Sequence, residues 1–374
     1  MAEKMSGLTI PFTGLKKQYN NLRTEILDAT DEVLRSGCLM NGNWTAEFEH
    51  WLEKRNNVKY SVTCHSGTSA LEIIAEFYKN HEQLSRPPRV LIPSLTYAAT
   101  ANAFIRAGWD VYFVDVDTQG LLNVHAIPEG MSFQAAVMVG LYGASITHHG
   151  DTRWWHRMVK NDLVVIEDAA QHWLAADCTR IGRAAAVSFD PMKNLPAYGN
   201  GGAVLTNDVS LADFAREWKD NGKPNHDYPG TNNRMSELDC AFLMVKTRYI
   251  DQWQARRRAI SNHWRERLKG SGIRTLINND NEHDHAYHKF VIDTDNRDEL
   301  QQELNVRKID TKIHYTQPLH EIGSFRQYEG PGLLSCASVL SRRVLSLPFY
   351  PELTDLEVEY IIDTVISLAS SKKL

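Results

Sequence analysis

Val164-Val165-Ile166-Glu167-Asp168-Ala169-Ala170-Gln171 is the stretch on which the fold turns. Three β-branched apolar residues run without polar alternation and end in a pair of carboxylates. A strand with one wet face would alternate, whereas an unbroken apolar run marks a strand buried on both faces, as in a parallel sheet covered by helices. Ligands of such sheets bind beyond the carboxyl ends of the strands. Successive side chains point to opposite faces, so Glu167 turns away and Asp168 is the group offered to a ligand.

Similar runs lie on either side. Strands are expected at Tyr60–Cys64, Val90–Pro93, Val111–Asp115, Ala135–Leu141, Leu163–Glu167, Ala184–Phe189 and Gly202–Thr206. Helical patterns separate several of them, at Thr68–Lys79 and Thr100–Ala107. Upstream, Leu15, Tyr19, Leu22, Ile26, Ala29 and Val33 recur at three- and four-residue steps, which predicts a helix over 15–36 stopped by Gly37. A second helix carries Phe48, Trp51 and Leu52. Alternation of this kind predicts an α/β fold with a mostly parallel seven-stranded sheet. From Ser236 to Leu268 the pattern is one long helical stretch. Beyond it a strand over His288–Asp293, a helix over Arg297–Asn305, a strand over Ile309–Ile313 and helices near 335–345 and 354–370 suggest a smaller α+β domain. The expected division is 1–250, with an N-terminal helical arm, and 251–374.

Composition narrows the function. The chain has 374 residues, 43% of them hydrophobic and 23% charged, with a net charge of -5. An acidic balance without a basic stripe speaks against nucleic-acid binding, and Arg256-Arg257-Arg258 reads as a helix face. No apolar stretch approaches the roughly 20 residues of a membrane span, and Met1-Ala2-Glu3-Lys4-Met5 does not open a signal peptide. Five scattered cysteines without a Cys-x-x-Cys pair suit a reducing cytoplasm.

Three patterns carry chemistry. Ser66-Gly67-Thr68-Ser69-Ala70-Leu71 joins a strand to a helix; the glycine permits close approach and the helix N-terminus offers free N–H groups to a phosphate. Asp168, if buried, needs a partner, and a protonated pyridine nitrogen would supply one. Ser188-Phe189-Asp190-Pro191-Met192-Lys193-Asn194-Leu195, followed by Gly199-Asn200-Gly201-Gly202, places a lysine between a strand end and a glycine turn. Lysine is the side chain that forms imines with carbonyl cofactors, the more readily when desolvation lowers its pKa. Taken singly, each has a plainer reading: a helix cap, a capping aspartate, a solvated lysine.

Together and in this order they resemble the DegT/DnrJ/EryC1/StrS family of sugar aminotransferases. So do Pro93-Ser94-Leu95-Thr96-Tyr97-Ala98, Gly230-Thr231-Asn232-Asn233-Arg234-Met235-Ser236-Glu237-Leu238, His314-Tyr315-Thr316-Gln317-Pro318-Leu319-His320 and Ser346-Leu347-Pro348. The resemblance implies the fold-type-I architecture and pyridoxal 5′-phosphate (PLP) as cofactor. It implies Lys193 as the Schiff-base lysine, Asp168 on the pyridine nitrogen and Gln171 near the 3′-oxygen. Gly67, Thr68 and Ser188 would hold the phosphate, and Tyr97 would stack on the ring. Asn232 would reach the cofactor of a neighbouring subunit, making a homodimer the active unit. His314, Tyr315 and His320 are expected to contact substrate. The implied reaction moves an amino group from L-glutamate to a nucleotide-linked 3- or 4-keto-6-deoxysugar. The run Lys193–Val204 resembles that of family members which install 3-amino groups, and this resemblance slightly favours the 3-keto position.

His172, Asp190 and Asn200 depart from the family pattern, and the segment Ile181–Val187 is short and lacks the common Gly-Asp. Alternatives are a carbocyclic ketone substrate, a sugar dehydratase (which Lys193 argues against, since such relatives carry histidine there) and a binding or regulatory protein without turnover. No metal site is expected: His283, His285 and His288 lack completing ligands. Trp154-Trp155 reads as packing.

Overall fold

The computed structural model describes residues 9–81, 87–147, 163–277, 285–328, 330 and 334–372. Its first seven strands are β1 (Tyr60–Cys64), β2 (Arg89–Pro93), β3 (Asp110–Val114), β4 (Ala135–Val139), β5 (Val164–Asp168), β6 (Ala184–Ser188) and β7 (Gly202–Thr206). They form one sheet in the order β1-β7-β6-β5-β4-β2-β3. Neighbours from β3 through β2, β4 and β5 to β6 are parallel, while β7 runs antiparallel to both β6 and β1.

The unbroken apolar runs are explained by burial on both faces. In β6, Ala184 and Ala186 pack into one core while Ala185 and Val187 pack into another. The first core is closed by α3 (Gly67–His81), α4 (Ala98–Arg106) and α5 (Val209–Trp218), the second by α1 (Leu15–Ser36), α2 (Asn43–Asn56) and α6 (Glu237–Thr247). Helix α1 buries Leu22, Ile26, Ala29 and Val33, and Gly37 ends it at φ 67 with its N–H on the Leu34 carbonyl, the left-handed cap that glycine adopts without penalty.

Helix α7 (Ile250–Leu268) leads to a second sheet, ordered β10-β9-β8, from β8 (Arg274–Thr275), β9 (Phe290–Asp293) and β10 (Val344–Leu347). Helices α8 (Arg297–Val306), α9 (Ser335–Arg343) and α10 (Asp355–Lys372) accompany it. Trp264 of α7, Phe290 of β9 and Ile361 of α10 share a third core, which the early residue Ile10 also joins.

Some expectations are corrected. The helical run from Ser236 to Leu268 is two helices, broken at Arg248–Tyr249, because α6 packs on the large sheet and the far end of α7 on the small one. Ile309–Ile313 is no strand: Ile309 bridges Ile10 and Lys312 bridges Ser346, two different partners that build no common ladder. The helix expected to reach residue 345 stops at Arg343, where β10 begins. Helix α5 went unread in the sequence; Asp208 caps it by accepting from Ser210 N–H at 2.8 Å. Trp154-Trp155 and His283 lie outside the described residues. Among the described residues no helix is long and apolar enough to cross a membrane.

Candidate active site

Strand β5 delivers Asp168 to the carboxyl edge of the sheet, where it is 6% exposed. Its Oδ2 accepts a hydrogen bond from Thr100 Oγ1 at 2.7 Å and its Oδ1 accepts one from Ala170 N–H at 3.2 Å. No lysine, arginine or histidine forms an ion pair with it among the described residues. A carboxylate accepts about four hydrogen bonds, and a buried charge needs a counter-charge, so Asp168 can still receive a cationic N–H. Glu167, one residue earlier, faces away as the strand period requires. Its oxygens accept from Thr179, Ile181 and Gly182 N–H at 2.7–3.2 Å.

Beside Asp168, the start of α3 is pressed against the ends of β6 and β7. A Cβ on Gly67 would fall 2.8 Å from Ser188 Cβ, and one on Gly202 would fall 2.3 Å from the Ser66 carbonyl carbon. Glycine at these two points is what lets the helix N-terminus sit against Ser188. The N–H groups of Gly67 and Thr68 have no carbonyl one turn back within the helix, which makes a seat for an anion.

Lys193 stands on a loop pinned from several sides. Its N–H donates to the Asp190 carbonyl at 2.8 Å, and Ala197 N–H donates to the Phe189 carbonyl at 2.7 Å. Asn194 is buried; its Nδ2 donates to the Ala286 carbonyl at 2.6 Å and to Gln254 Oε1 at 3.1 Å, and its Oδ1 lies 3.0 Å from His288 Nδ1. Lys246 Nζ donates to the Pro196 carbonyl at 2.6 Å. Burial holds the Lys193 amine below its ordinary pKa, against the pull of Asp168 and Asp190. That favours the neutral, nucleophilic form.

These groups line one cleft of about 1090 Å³. Of the residues predicted from sequence, Gly67, Thr68, Tyr97, Asp168, Gln171, Ser188, Lys193, His314 and Tyr315 border it. Gln171 is held by its Oε1, which accepts from Tyr142 N–H at 2.8 Å, while its Nε2 reaches Tyr315 Oη at 3.4 Å. Tyr97 is 59% exposed, with its ring 5.9 Å from that of Tyr315. Burial, reinforced by Lys289 and Lys193, pushes His314 down to about 2, so it is a neutral imidazole.

Two predicted residues are not brought to the cleft. Asn232 is exposed on a loop, accepting at 3.4 Å from Arg234 Nη2. His320 lies beside Ser338 and Glu321. Conversely, Thr100, Tyr142, His288 and Lys289 hold or line the site and were not singled out for it. Pairing a buried carboxylate with hydroxyls in the preceding β-to-α segments would have found Thr100.

The described residues also bring Glu167, His172 and Cys178 within 4.8 Å of one another. Glu167 is already satisfied by three N–H groups, and burial holds the Cys178 thiol well above its ordinary pKa. The arrangement therefore reads as internal packing.

Comparison with known proteins fits this geometry. Residues 20–366 match the sequence profile of the DegT/DnrJ/EryC1/StrS aminotransferase family. The chain is 32% identical to the pleiotropic regulatory protein of Geobacillus stearothermophilus, covering 96% of this chain and 98% of that one. It is 31% identical to the dTDP-3-amino-3,4,6-trideoxy-alpha-D-glucose transaminase of Streptomyces venezuelae, covering 98% and 97%. The crystal structure of S. venezuelae DesV superposes with a TM-score of 0.88 at 31% identity, covering 96% and 98%.

Proposed function

This chain belongs to the DegT/DnrJ/EryC1/StrS aminotransferase family, and from that premise we propose that it is a PLP-dependent enzyme moving an amino group from L-glutamate to a keto carbon of a nucleotide-linked deoxysugar. The observation that carries the reading is the convergence of Lys193, a buried Asp168 with no cationic partner among the described residues, and the Gly67–Ser188 cradle on one cleft. An amine, a carboxylate and an anion seat match the aldehyde, the ring nitrogen and the phosphate of that cofactor. When bound, PLP supplies the carbonyl that exchanges amino groups and the ring that accepts electrons.

The residues divide the remaining work. Gly67 and Thr68 N–H and Ser188 Oγ bind the phosphate. Asp168, steadied by Thr100, keeps a proton on the ring nitrogen. Gln171 would hold the 3′-oxygen and Tyr97 would stack on the ring. Lys193 Nζ holds the cofactor at rest. Its amine, when free, would take the proton from the donor's Cα and, in the second half-reaction, would deliver one to the sugar carbon. His314 and Tyr315 border the space left for substrate.

The S. venezuelae relative is by name a 3-amino sugar transaminase. That supports the same slight preference for a 3-keto group as the loop Lys193-Asn194-Leu195-Pro196-Ala197-Tyr198-Gly199, which resembles the loop of members that install 3-amino groups. Offering matched 3-keto and 4-keto nucleotide sugars after loading with L-glutamate, with mass spectrometry of the products, is expected to give the 3-amino sugar faster. Preference for the 4-keto compound refutes the position, and silence with every nucleotide ketosugar refutes the substrate class.

A site shared between two copies of the chain, with Asn232 reaching the neighbour's cofactor, rests on the resemblance of Gly230–Leu238 to the family motif; Asn232 is exposed, as such a role requires. The neighbouring Asn233 carbonyl accepts from His65 N–H at 2.7 Å, which ties this loop to the segment entering the phosphate cradle. Mixed dimers of Lys193→Ala and Asn232→Asp are expected to exceed both parents in activity. A fully active monomer in sedimentation ends this part of the reading.

A further inference from the structure

Lys289 borders the cleft beside Lys193 and has no assigned part in holding the cofactor. It is 7% exposed. Its Nζ has no hydrogen-bond acceptor and no ion-pair partner among the described residues; it lies 5.3 Å from the centre of the Phe12 ring. Its main chain is fixed, the N–H donating to the Tyr142 carbonyl at 3.1 Å. A second cavity next to Lys193, lined by Phe12, Met192, Asn194 and Arg257 among others, also touches Lys289.

A buried ammonium without a carboxylate is costly. The surroundings make it more so. Burial comes first, then the charges of Lys193 and Arg257, and only Asp190 favours the charge; together they bring Lys289 down to about 7. The adjacent His288 and His314 are held neutral. An anion arriving here would find a lysine ready to take a proton.

Which anion is decided by reach. The cofactor phosphate has its seat at Gly67, Thr68 and Ser188. The diphosphate of a nucleotide sugar hangs from the anomeric carbon, bonds away from a reacting keto carbon. The donor's α-carboxylate is attached directly to the carbon that Lys193 must deprotonate. On the reading above, one cleft therefore takes a carboxylate in one half-reaction and an uncharged sugar carbon in the other. We propose that Lys289 is the residue that recognises the donor's carboxylate. Lysine suits this alternation where arginine would not, because arginine stays charged.

The test uses the cofactor-loaded enzyme and glutarate, a dicarboxylate that cannot react. Calorimetry at pH 8 in two buffers of different ionisation enthalpy reads affinity and proton uptake together. Wild type is expected to take up a substantial fraction of a proton per glutarate, with affinity falling as pH rises above about 7, because the bound anion raises the lysine's pKa. Lys289→Met is expected to weaken glutarate by roughly ten- to a hundredfold, the loss of one charge-assisted contact, and to abolish the uptake. Lys289→Arg is expected to keep affinity without uptake. In turnover, Lys289→Met should raise KM for glutamate and leave KM for a carboxylate-free ketosugar unchanged. Equal glutarate affinity in Lys289→Met, absent uptake in wild type, or equal effects on both KM values overturns the proposal; an effect confined to a carboxylate-bearing sugar moves the contact to the acceptor. Failure of the substrate-class reading looks different: glutarate behaves as expected and glutamate donates, but no nucleotide ketosugar accepts.

Discussion

Lys193→Ala is expected to lower turnover by at least about 10²–10⁴-fold, the range for losing one positioned general acid–base group. The loop around Lys193 is held by Asp190, Asn194, Ala197 and Lys246 through backbone and side-chain bonds that do not use the Lys193 amine. The alanine variant should therefore fold and still admit cofactor into the cleft, separating chemistry from structure. A steady-state assay together with a circular-dichroism melt checks both. Because burial depresses the amine's pKa, a lysine restored at this position should regain activity, and glutamine, of similar reach but without an amine, should not.

Asp168→Asn is expected to be the second large loss, roughly 10²–10³-fold, comparable to removing one preorganised electrostatic group. Asparagine keeps the size and can still accept from Thr100, but it carries no charge to hold a proton on the ring nitrogen. The substitution should be mild for stability, since Asp168 is buried without a cationic partner among the described residues and a neutral residue avoids an uncompensated charge. Measured kcat for the glutamate half-reaction checks this. A variant within threefold of wild type would remove Asp168 from the chemistry.

The place of Asp168 was legible in the sequence for a physical reason, whereas Lys193 stood out only through the family resemblance. Asp168 ends a strand whose apolar run reports burial on both faces, and the strand period separates it from Glu167, which the structure ties instead to Thr179, Ile181 and Gly182. The sequence assigned Gly67 a close approach to a ligand; the structure shows that it also packs where only a residue without Cβ fits against Ser188. What could not be read is what arrives from elsewhere in the chain. Thr100 reaches Asp168 from 68 residues away, and Tyr142 meets Gln171 from another loop. Lys289 follows His288 at the edge of a strand and looks like any boundary lysine until the fold buries it. The same limit explains the misread helix between Ser236 and Leu268: periodicity reports an apolar face, but not that α6 and α7 give theirs to different cores. Strand β10 was hidden because Val344–Leu347 continues the apolar rhythm of α9.

The central claim is that Lys193 carries the cofactor. Borohydride reduction of the holoenzyme, which fixes pyridoxal to the lysine that holds it, followed by peptide mapping, tests it most directly. The account predicts a single pyridoxyl group on the peptide containing Lys193; a pyridoxyl group on Lys289, or on any other lysine, would contradict it.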